Sequence, residues 1–154
     1  MIVEMIQSML APGLMISACG LLLLGMNNKY SLVVNRIRLL NDEKRKVLNK
    51  YEFSDDSISD NVRLGSITKQ LDKLVFRVKL VKNAVLSYTI AVALFVFTSI
   101  LIGLKHVLFA DSSGYIVMII FLCGMILVLV GAFFAAYETI KGFEIINLEV
   151  EVDN

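Results

Sequence analysis

The chain has 154 residues, of which 57% are hydrophobic, and a mean hydropathy of +0.75. Water-soluble domains carry about 45–50% apolar residues, so this composition excludes an ordinary soluble globule. The formal net charge of +1 supplies none of the global basicity that nucleic-acid binding draws on.

Three runs free of Lys, Arg, Asp and Glu, residues 5–26, 84–104 and 115–137, set the architecture. Each can cross a bilayer core of roughly 30 Å at about 1.5 Å rise per residue. The spacing predicts an all-α membrane protein with one domain over residues 1–154. It has three transmembrane helices and a cytoplasmic antiparallel helical hairpin, 27–83, between the first two. Lys and Arg set the orientation, because 13 of the 15 fall within 27–83. The positive-inside rule puts that segment in the cytoplasm, with the N-terminus outside and the C-terminus inside.

The first span carries Pro12, where a kink is expected. Gly13, Ser17 and Gly20 follow on one face, a surface for close helix approach either within the chain or between subunits. Ile16-Ser17-Ala18-Cys19 has the form of a lipoprotein cleavage box, but residues 1–12 lack the basic start of a signal peptide, so no cleavage is expected. Cys19 and Cys123 both lie in apolar runs and read as buried small hydrophobes rather than a disulfide.

No Pro or Gly interrupts the chain from Met26 to Tyr51, so the first helix should leave the membrane without stopping. Its apolar positions step by heptad through Val33, Ile37, Leu40, Val47 and Tyr51, with Lys44 the one polar intruder. Residues 53–60 (FSDDSISD) read as a turn, with Ser59 or Asp60 as the following N-cap. The returning arm is a coiled-coil seam: Ile67, Leu71, Leu74, Val78, Val81, Val85 and Tyr88. A two-helix hairpin buries little, so neighbouring subunits are expected to complete it.

Arg77, Lys79 and Lys82 stand just before the second span, where anionic lipid headgroups should meet them. Arg36 and Arg38 can serve the same leaflet, pair across the hairpin, or form an electrostatic ring at the cytoplasmic mouth of an oligomer. Within span two, Ser87, Ala91 and Thr98 share a stripe that can pack helices or line an axial pore. The third span offers Gly124, Gly131 and Ala135 for close approach, and Tyr115 and Tyr137 as interfacial anchors. The tail, 138–154, is acidic, with a net charge of −4. It should continue span three as helix to about Leu148, with a terminal strand as the alternative, and dock on the basic hairpin of its own or a neighbouring chain.

Catalytic chemistry is not expected. The one histidine, His106, sits beside Lys105 at the outer interface, where snorkelling explains both, with a pH sensor as the sharper alternative. No nucleophile and base pair, metal cluster or phosphate loop is apparent, so neither enzyme activity nor a cofactor is expected. The lack of charge deep in a span argues against ion-coupled transport. What remains is a homo-oligomeric membrane protein acting as a channel, or else a non-conducting scaffold that recruits a partner.

The stretch ISACGLLLLGMNNKYSLVVNRIRLLNDE, residues 16–43, with its Asn35-Arg36-Ile37-Arg38 arm, resembles the bacterial domain-of-unknown-function 2721 family. The resemblance implies a small multi-pass protein of the bacterial inner membrane, with a charged hairpin, two closely spaced spans and a Glu-bearing tail. It implies no reaction.

Overall fold

A computed structural model describes three helices: α1, Ile2–Tyr51; α2, Ser57–Leu108; and α3, Gly114–Val152. Side chains are described for residues 3, 6–49, 63–104 and 114–142. All three helices contain a stretch long and apolar enough to span a membrane, with mean hydropathies of 2.0, 2.4 and 3.0. Only 17%, 22% and 11% of those stretches is buried inside the chain. Such surfaces suit lipid, which solvates apolar side chains without penalty.

α1 is one continuous helix of 50 residues, so it runs about 75 Å, far longer than a bilayer core. Pro12 lies within it and is buried. α2 is the central element. It packs along both α1 and α3, which scarcely touch one another. The apolar steps read from the sequence form the interior: Val33 and Val47 on α1, and Ile67, Leu74, Val81 and Tyr88 on α2, are buried. Lys44 sits in that series half-buried.

Within the spans, lipid removes most of the hydrophobic drive for helix association, and packing must replace it. Glycine notches on α3 supply it. A Cβ added to Gly124 would lie 2.8 Å from the Phe95 ring, and one on Gly131 would lie 2.8 Å from the Tyr88 ring. Phe95 and Tyr88 are thus seated directly against the α3 backbone. Phe95 also meets Phe121 at a centroid distance of 5.5 Å and a tilt of 55°, an aromatic contact of about 0.5–1.5 kcal/mol. Cys19, Ala91 and Phe95 form one buried cluster, and Met26, Val81, Ala84 and Tyr88 another.

Two local expectations are revised. α2 begins at Ser57, so Ser59 and Asp60 lie inside its first turn rather than at its N-cap. An acidic side chain there is favoured by the positive end of the helix dipole, which lets the helix start earlier than the polar composition suggests. The tail is helical to Val152, beyond the expected end near Leu148, and the strand alternative is excluded there. The nucleus supplied by the long apolar helix carries the weaker tail with it. Of the expected turn, residues 53–56 lie outside the described residues, as do the side chains of Lys105, His106 and the tail beyond Gly142.

Candidate functional site

One carboxylate ties all three helices together. Glu138 stands immediately after the third apolar run, and its side chain is 1% exposed. A buried carboxylate needs charged or hydrogen-bonding partners, and both other helices bring one. Arg77 on α2 donates to Oε1 from Nε at 3.1 Å and from Nη2 at 2.6 Å. Lys29 on α1 donates to Oε2 at 3.2 Å and to the Thr139 hydroxyl oxygen at 2.9 Å. The Thr139 hydroxyl in turn donates to the Ala135 carbonyl at 2.9 Å, which fixes its lone pairs toward the lysine.

The local sequence makes this convergence possible. Gly142 lies one turn beyond Glu138 on α3, and a Cβ there would come within 2.8 Å of Arg77 Nη2. The missing side chain makes room for the guanidinium. Gly124 against Phe95, Gly131 against Tyr88 and Gly142 against Arg77 follow one antiparallel register, so the aromatic notches and the ionic site share a single helix alignment. Lys29, Leu32, Val33, Arg77, Glu138, Thr139 and Gly142 line an open groove of about 310 Å³ at this junction. Two cations face one carboxylate, leaving a local charge of +1.

The other sequence candidates fall elsewhere. Of the five basic residues singled out, Arg77 alone is in the cluster, while Arg36, Arg38, Lys79 and Lys82 are exposed. A separate ion pair, Arg63 to Glu43 at 2.6 Å, links α2 to α1 at the surface. Gly13, Ser17 and Gly20 are exposed, and a Cβ at either glycine would meet nothing within 4 Å. Ser17 donates to the Gly13 carbonyl of its own helix. Ala91 and Thr98 are buried inside the chain and Ser87 is half-buried. Ser87 and Thr98 donate to Asn83 and Leu94 carbonyls, so their hydroxyl protons are spent on the α2 backbone. Among the described residues, no group of His, Cys, Asp and Glu could hold a metal ion.

The sequence presents Glu138 as the first acid of a tail expected to dock on the basic hairpin, and Lys29 and Arg77 as two of that hairpin's bases, without singling out the three as one site. The signal that could have found them is positional. All three stand within a few residues of a run end on the same membrane side: Lys29 after residue 26, Arg77 before 84 and Glu138 after 137. An up-down-up arrangement brings those ends together.

No curated protein and no solved structure matches the chain. A family model described as "Protein of unknown function (DUF2721)" matches residues 9–148, nearly the whole length, and takes in all three helices and the Lys29–Arg77–Glu138 junction. The chain belongs to this family, DUF2721.

Proposed function

We propose that the chain is the subunit of a homo-oligomeric assembly in the bacterial inner membrane. The polar halves of α1 and α2 and the end of α3 lie in the cytoplasm, and residues 105–114 lie outside. The clustering of 13 of 15 basic residues in 27–83 supports this orientation.

The observation that carries the assembly is apolar exposure beyond the reach of lipid. Leu39 is 68% exposed and Leu48 46%. They stand about 20 and 33 Å along α1 from Met26, whereas the headgroup layer extends only about 5–7 Å past the core. Neither α2 nor the bilayer covers them; nine residues apart, they lie on opposite flanks of α1, and neighbouring copies on either side would cover them. The exposed Gly13–Ser17–Gly20 face of α1 offers a neighbour a close approach within the membrane.

A non-conducting scaffold is favoured over a pore lined by α2. Ala91 and Thr98, two of the three residues of the stripe such a pore would use, are enclosed by the chain itself. The test is bis-maleimide crosslinking of Leu39→Cys in a Cys19→Ala/Cys123→Ala background, in native membranes at low expression. Dimers and higher species are expected. Monomer alone, by crosslinking and by native mass in mild detergent, would refute the assembly. Ion flux through liposomes holding the assembled protein would reverse the choice between scaffold and channel.

A further inference from the structure

The groove at the Lys29–Arg77–Glu138 junction has a mixed character that the assembly reading does not use. Its floor is charged and its walls, Leu32 and Val33, are apolar. It lies at headgroup depth: Lys29 is about 5 Å past the end of the first apolar run, and Arg77 about 10 Å before the start of the second. Lys29 is 44% exposed and Arg77 22%. An ammonium has three protons to donate, and Lys29 places two on Glu138 and Thr139. The third is open to a ligand at the groove mouth.

We propose that this groove seats an anionic phospholipid. Its phosphate takes the open donor of Lys29 and the flank of Arg77, its glycerol region lies against Leu32 and Val33, and its acyl chains enter the surrounding bilayer. Glu138 holds the two cations in place and offsets one of their charges, so the site selects a single negative charge over a zwitterion. The apolar wall favours a lipid over free phosphate, which would gain nothing from Leu32. The proposal rests on the membrane placement of the apolar runs and is independent of the number of subunits.

The experiment is native mass spectrometry of the full chain in mild detergent, offered equal amounts of phosphatidylglycerol and phosphatidylethanolamine with identical acyl chains. Preferential retention of phosphatidylglycerol is expected. Lys29→Gln should lower that retention roughly fivefold and leave phosphatidylethanolamine unchanged. Leu32→Trp, at an exposed position, fills the groove without changing charge and should lower it too; it keeps the test informative if the charge variant fails to fold. Equal retention of the two lipids by the unaltered chain overturns the proposal, as does unchanged retention by a folded variant. Inorganic phosphate displacing the phosphatidylglycerol completely would reassign the site to free phosphate. The same spectra report subunit count, so a lipid failure is distinguishable from an assembly failure.

Discussion

At residue scale, Glu138 and Arg77 form a pair whose loss is asymmetric. Removing Arg77 leaves the buried carboxylate with only the half-exposed Lys29, at a cost of up to about 3–5 kcal/mol, whereas replacing both with apolar side chains of similar size is close to neutral. Arg77→Met should therefore sharply lower the unfolding midpoint in detergent, and Arg77→Met/Glu138→Met should recover most of the loss. The Arg63–Glu43 pair makes the control. Its side chains are 62% and 42% exposed, so Arg63→Met should cost less than about 1 kcal/mol. Equal losses from the two arginine substitutions would contradict the central role assigned to Glu138.

At the scale of elements, the α2–α3 contact depends on absent side chains. Gly131→Ala pushes a methyl into the Tyr88 ring, and overpacking of this kind costs about 1–3 kcal/mol. Tyr88→Leu removes the ring, so a double-mutant cycle should show Gly131→Ala to be nearly harmless in that background. Additive losses would mean that the notch does not set the helix spacing. The α1–α2 contact was far more legible. Heptad steps from Ile67 to Tyr88 name the buried face because a helix repeats its surface every seven residues whatever its partner. Gly124 and Gly131 could be read as points of close approach, but not which rings they would receive. That depends on antiparallel register, which no single helix encodes. Glu138 was hidden for the same reason. Beside Tyr137 it reads as the start of a tail that docks on the basic hairpin, and only the meeting of three run ends shows which bases it meets and that it is enclosed. The end of α3 at Val152 was missed because local alternation of Val and Glu suits a strand, and the pull of the preceding helix outweighs it.

At the scale of the whole molecule, sidedness remains the most economical measurement. In a Cys19→Ala/Cys123→Ala background, Lys46→Cys should react with a membrane-impermeant maleimide only after permeabilisation, and Ser112→Cys should react in intact cells. The reverse pattern would invert the topology. The junction also bears on how the chain is made. Synthesis runs from the N-terminus, so α1 and α2 are inserted while the acid that neutralises Lys29 and Arg77 is still untranslated. A nascent chain stopped at residue 137 would own every hydrophobic segment yet hold two uncompensated cations side by side at the bilayer edge. Translation past residue 138 is therefore what locks the three inserted helices to one another, because only then does the shared carboxylate reach both cations.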